Sequence, residues 1–319
     1  MQHFLVDGLC ISCMFLLADA YSEYCRADGD RVGLRAILTY NVLAFMSQPL
    51  TGMLADRMIH RHWLLIWSSL LLTLAVACAS LLSSQMTMGI GSEWPLMLVA
   101  VLLGAGNSLF HVWGGKLAVM KTGNDIRALG VFVSTGALGL AVGLVFRSWA
   151  LVCGLLLAIV ALAVTYVRCD DGASLPVKDI KEHSNWFTPV RIWTLVIGLM
   201  LFVGYRSYAG ELFSKNITKT QELVLMIGTV AMLGKITGGW MARWMGILKS
   251  LMVILVGVGL CFFMRTNLNP VLLLGIFLMN CTMPITLYLA NLLLPKSEGL
   301  AFGLLAAALI PGYLLAVYL

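Results

Sequence analysis

Apolar residues run through this chain in long blocks, broken by short polar stretches. Eleven blocks have roughly the 17–25 residues that a helix needs to span a bilayer. They cover 2–20, 33–56, 63–84, 95–120, 127–147 and 149–168, then 189–213, 221–244, 249–265, 270–294 and 298–319. Pro95, Pro189 and Pro270 stand at block starts, where a helix loses nothing by a missing N–H. The longest hydrophilic stretch, RCDDGASLPVKDIKEHSN at 168–185, separates the first six blocks from the last five. The pattern predicts an all-α membrane protein with an N-terminal six-helix bundle over 1–168. A cytoplasmic linker over 169–188 follows, then a five-helix bundle over 189–319. Six plus six would complete a pair of bundles. The chain ends on Ala-Val-Tyr-Leu319, so either a twelfth helix is missing or the protein has eleven spans.

Composition agrees with the pattern. The chain is 60% hydrophobic and 11% charged, with a mean hydropathy of +0.93. A soluble domain has about a quarter of its residues charged. The net charge of +6 does not point to nucleic acid, because the basic residues sit in short loops between apolar runs. With the amino terminus in the cytoplasm, thirteen of the 21 Lys and Arg lie nearest cytoplasmic loops and eight nearest outer ones, in the positive-inside sense. This predicts a multi-pass protein of the cytoplasmic membrane. No cleavable signal peptide is expected, since the first run has no basic leader and carries Asp7 in its middle. Cys10 and Cys13 have a C-x-x-C spacing but lack further ligands, so they read as packing residues and not as a metal or disulfide site.

The chemistry lies in the few polar residues inside apolar runs. An ionised side chain at the bilayer centre costs at least ~2.5–3.5 kcal/mol, so such residues face a partner or a cavity. His3 and Asp7, four residues apart, share a helix face, as do Asn107 and His111. Asn41 and Gln48, seven apart, are expected to share another. By position His3 stands close to the headgroups, two residues from Met1. At ~1.5 Å per residue, His111 lies about 15 Å inside Lys121, and Lys235 about 12 Å inside Arg243. Lys235 either neutralises Asp7 or Glu211 or attracts an anionic substrate group. Arg206, nearer the outer end, either snorkels or joins it.

The second helix ends in QPLTGMLADRMIHRH. Its Gly52, Asp56, Arg57 and Arg61 fit G-x-x-x-D-R-x-x-x-R, which resembles the loop signature between helices 2 and 3 of the major facilitator superfamily. Gly239 and Gly246 stand at the same spacing, 187 residues from Gly52, and look like a decayed repeat whose acidic position is Arg243. Three further stretches resemble the fosmidomycin-resistance-like branch: His3 with Asp7, Gln48-Pro49, and GAGNSLFHVWGGK with Phe110-His111 and Lys116. YRSYAG, with Arg206, Ser207 and Tyr208, is similar to an Arg-Ser-aromatic box of that branch. Val112 and Trp113 stand where the branch has Pro and an acid. Leu144 stands where drug/proton antiporters carry a proline after the last glycine of Gly136, Gly139 and Gly143.

The resemblance implies a two-bundle secondary transporter working by alternating access. Its substrate and proton pathway would use His3, Asp7, Asn41, Gln48, Asn107, His111, Arg206 and Lys235. Its conformational latch would use Gly52, Asp56, Arg57 and Arg61, with Asp56 near Ser297 and Glu298, where Glu298 weakens the contact by like-charge repulsion. The expected cargo is a small anionic or amphipathic, drug-like solute, exported in exchange for protons. Uptake of a sugar or organic acid by a facilitator or symporter is the alternative, as is a transport-inactive sensor or partner subunit. No nucleophile, metal set or cofactor motif converges, so neither an enzyme nor a cofactor is expected. The partners are the solute, protons and the lipid bilayer, for a monomer.

Overall fold

In the computed structural model of this chain, the described residues are 2–24, 29–58, 62–86, 93–169, 188–217, 220–264 and 269–318. All regular structure among them is helical. The helices are α1 (Gln2–Tyr24), α2 (Gly29–Asn41, continuing as Val42–Met46 and Gln48–Arg57), α3 (His62–Met86), α4 (Glu93–Thr122), α5 (Ile126–Val145) and α6 (Trp149–Cys169). Five more follow: α7 (Pro189–Lys215), α8 (Gln221–Met245), α9 (Ile247–Phe263), α10 (Asn269–Leu293) and α11 (Glu298–Ala307, continuing as Leu309–Tyr318). Most of the expected linker, 170–187, lies outside the described residues.

Local chemistry accounts for the helix ends. Thr188 and Thr220 cap α7 and α8 by accepting from Arg191 N and Leu223 N. Asp125 caps α5 by accepting from Arg127 N at 2.9 Å. The Arg127 guanidinium also bonds that carboxyl and holds it below the usual carboxylate range. Gly246, at φ 88°, lets the chain turn directly from α8 into α9.

Nine of the described helices are long and apolar enough to cross a membrane. The two blocks that fall short of the expected eleven differ from a plain span for physical reasons. α9 has only 17 residues. α2 is interrupted by a π-helical turn over Val42–Met46. Pro49 explains the interruption: it lacks an N–H and its ring crowds the carbonyl four residues back, that of Phe45. A π turn opens the ladder there and adds one residue to the turn. Ser47 then ties the bend to α4 through Ser108 at 2.7 Å.

One apolar core is made by α1 to α4 with α6, and another by α8 to α10 with parts of α5 and α7. Between them runs a seam where α5 packs along α8 and the end of α2 packs along the start of α11. Glycines let these backbones touch. A Cβ on Gly303 would run into Gln48 O, and one on Gly52 into Gly299 O. A Cβ on Gly239 would stand 2.7 Å from Ile126 O, and one on Gly130 2.7 Å from Lys235 O. Gly303→Ala is therefore expected to lower stability by about 1–3 kcal/mol through overpacking. Gly198→Ala, where nothing lies within 4 Å, leaves it unchanged or slightly raised. Thermal unfolding of the two variants in detergent checks this.

Candidate functional site

At the centre of the seam lies a cavity of about 170 Å³. Eight helices line it: α1, α2, α4 and α5 from one side, α7, α8, α10 and α11 from the other. Most of its wall is apolar, with Phe45, Leu140, Met283, Phe302 and Leu305 among the lining groups. The charged or titratable groups in the wall are His3, Asp7, His111, Arg206 and Lys235.

His3, Asp7 and His111 meet in a buried triad. Asp7 Oδ2 lies 3.2 Å from His3 Nε2, and Asp7 Oδ1 lies 3.3 Å from His111 Nε2. The two Nε2 atoms are 2.6 Å apart. The other ring nitrogens decide what these distances mean. His3 Nδ1 stands 3.1 Å from Phe132 O, and His111 Nδ1 stands 3.0 Å from Asn107 O. A carbonyl oxygen only accepts, so both Nδ1 atoms carry hydrogen and donate. In neutral rings both Nε2 atoms would then present lone pairs to each other and to a carboxylate. A cation between them removes that repulsion.

The three ligand atoms lie close enough to hold a metal ion. Two nitrogens at the 2.0–2.1 Å bond lengths of a tetrahedral zinc would stand about 3.3 Å apart. The 2.6 Å separation is that of a hydrogen bond, so the geometry fits a proton. Gly136 makes room for the group: a Cβ there would meet Asp7 Oδ2 and stand 2.7 Å from His3 Nε2. Behind Asp7, Asn107 Nδ2 donates to Tyr40 Oη at 2.9 Å and reaches Asp7 Oδ1 at 3.4 Å.

Across the cavity stand two cations. Arg206 is buried, and its Nη1 has no hydrogen-bond partner. Lys235 makes no ion pair with Asp7, and neither cation is bonded to another described residue. They belong to one electrostatic cluster, in which Lys235 is repelled by Arg206 and by a charged imidazole and attracted by Asp7.

At one end of the seam, Asp56 accepts from Gly299 N at 2.9 Å and Leu300 N at 2.8 Å, the first turn of α11. A carboxylate there meets the positive end of the helix dipole. The contact is formed with Glu298, the residue expected to weaken it, as the first residue of the same helix. Lys116 Nζ lies 3.1 Å from Asp56 Oδ1 and donates to Ala55 O at 2.9 Å, placing a positive charge against the carboxylate. Gly52 supports the approach, Arg57 is exposed at the helix end, and Arg61 lies outside the described residues. At the other copy of the signature, Arg243 borders the same cleft as Asp125. Helix α5 is capped there from its own loop, with no carboxylate crossing the seam from α8.

Of the eight pathway residues, seven gather in or against the cavity. His3, which position alone puts near the headgroups, lines it. Asn41 does not: the extra residue of the π turn rotates it off the face of Gln48 by about 100°. Tyr40, eight residues before Gln48, takes that face and is buried. Residues that sequence reasoning left out of the site are Tyr40, Phe132, which acts through its carbonyl, and Lys116. Lys116 had a signal, a lysine inside the apolar run of α4; Phe132 had none.

A family model described as Major Facilitator Superfamily matches residues 4–316. No curated protein sequence matches the chain significantly. Among solved structures, the human organic anion transporter MFSD10 (TETRAN) is similar with a TM-score of 0.71 and 14% identity, over 99% of this chain and 92% of that one. A bacterial homologue of the iron transporter ferroportin, in an outward-facing state, gives 0.70 and 12% over 99% and 89%. The E. coli fucose:proton symporter FucP gives 0.68 and 13% over 99% and 88%. At these identities the likeness is one of fold. The chain belongs to the Major Facilitator Superfamily and is a multi-pass secondary transporter of a small solute, not an enzyme.

Proposed function

We propose that this protein carries a small anionic or amphipathic solute through the seam cavity, coupled to a proton held by His3, Asp7 and His111. The observation that carries the reading is the pair Arg206 and Lys235. Two cations without a bonded anion line an otherwise mostly apolar wall. Buried charge is expensive unless paired, and a solute anion is the partner that fits. The apolar wall suits the body of an amphipathic molecule and offers a sugar few hydrogen bonds.

The two sides of the seam, 1–168 and 189–319, would rock about this cavity as two bundles. Asp56 on the start of α11 would latch the cytoplasmic end, with the amino terminus in the cytoplasm. What supports kinship to the fosmidomycin-resistance-like branch is that its two motif pairs, His3 with Asp7 and Phe110 with His111, supply the triad. Leu144, in place of the exchangers' proline, speaks for co-transport over export by exchange.

Transport in proteoliposomes under a pH gradient tests the reading, with carboxylates, phosphonates, sugars and cationic drugs compared side by side. Anionic solutes are expected to move with gradient dependence. A hydrogen bond to a charged group contributes about 1.5–3 kcal/mol. Lys235→Gln and Arg206→Gln should therefore each weaken the anion's affinity roughly ten- to a hundredfold. Asp7→Asn should abolish the response to the pH gradient. Equal losses for neutral and cationic solutes in the lysine variant, or an unaltered gradient response in Asp7→Asn, would count against it. For the latch, Asp56→Asn removes the charge and one of two acceptors. A cysteine at the cavity-lining Leu305 should then be alkylated faster from the Asp56 side than in the otherwise unchanged protein.

A further inference from the structure

The cavity's charges also bear on how proton and solute are linked. The proton's ligands are His3 Nε2 and His111 Nε2, with Asp7 straddling them. The anion's ligands, on the reading above, are Lys235 and Arg206. The two sets share no atom, so proton and anion do not compete for a group. They meet only through the field between them, since Lys235 acts on both imidazoles and Arg206 acts on Lys235.

No other charge faces the triad from the described wall. Asp7 is on the same helix as His3. Helices α2, α5, α10 and α11 contribute Gln48, Gly136, Thr286 and Phe302, none of them ionised. Cys10 and Tyr40 stand behind Asp7, linked to it through Asn107. With the proton in place, the cavity holds three cations against the single carboxylate of Asp7. Uncompensated buried charge costs several kcal/mol per ion, so this state demands an anion. An anion lodged at Lys235 and Arg206 offsets the repulsion of the imidazolium by Lys235 and strengthens proton binding. By reciprocity the proton strengthens anion binding by the same factor.

We infer that proton and anion occupy the cavity together and favour each other's binding, so that this carrier moves its anion in the same direction as the coupling proton. The inference rests on the cavity being the transport site. It assigns the proton to the His3–His111 pair and makes Lys235 the link through which the solute is sensed. An exchanger would require the opposite arrangement, with the solute taking the proton's ligands or its charge.

The linkage is tested without the solute by 15N NMR of histidine-labelled protein titrated with acid and base. The wild type should show one imidazolium shared by the pair, with both Nδ1 atoms protonated. Lys235→Gln should bind that proton about tenfold more tightly, the scale of one fewer like charge at close range. Lys235→Met should act in the same sense and serves if the glutamine variant does not fold. Two neutral imidazoles across the titration, or unchanged proton binding in both variants, would overturn the assignment. In proteoliposomes, an imposed proton gradient should accumulate the carried anion on the side toward which protons flow, and accumulation on the other side would overturn co-transport. Absence of any transport would instead defeat the reading of the cavity as a transport site, while the NMR result would still decide the linkage.

Discussion

An ionised carboxylate inside a bilayer persists only where other groups satisfy it, and much of this architecture serves that demand at Asp7. Two imidazoles from different helices bring their Nε2 atoms to its oxygens. Each ring is held by a backbone carbonyl at its other nitrogen, one from α4 itself and one from α5. Fixing both Nδ1 atoms as donors leaves the facing pair of Nε2 atoms short of one proton.

Close helix contact is what makes that centre possible. Phe132 O reaches His3 because α5 lies against α1 through Gly136, Gly139 and Gly143, where added Cβ atoms would strike the triad, Phe4 and Ile11. The same device runs along the seam, where Gly52, Gly299 and Gly303 let α2 and α11 meet backbone to backbone. Small residues serve packing and chemistry together: they bring carbonyls and helix ends close enough to act as ligands. The asymmetry of the two signature copies follows from one residue. Asp56 crosses the seam to α11, whereas Arg243 leaves α5 to be capped by its own Asp125.

Several of these features are legible in the order of residues alone. The helical blocks follow from apolar runs of bilayer length, and the functional stripe follows from the cost of polar residues inside them. His3, Asp7, Asn107 and His111 stand out because i, i+4 spacing on an unbroken helix guarantees a common face. Asn41 fails that test because α2 is not unbroken. Pro49 forces a π turn, and the face-sharing interval becomes eight, which selects Tyr40. Lys116 stands in plain view beside His111, yet its partner Asp56 is sixty residues away on another helix. No local spacing predicts that pairing.

By itself the sequence determined which segments enter the membrane and which polar residues are carried there, because hydropathy and helical periodicity are local properties. It also carried both members of the Asp56 contact, a carboxylate after a glycine and a helix start rich in small residues. Only the tertiary structure decided that both imidazoles surrender Nδ1 to carbonyls, that Arg206 and Lys235 face the cavity without a bonded anion, and that Lys116 pairs with Asp56. Those outcomes depend on distances between helices far apart in the chain, set by glycine contacts whose depth of approach a list of residues does not encode.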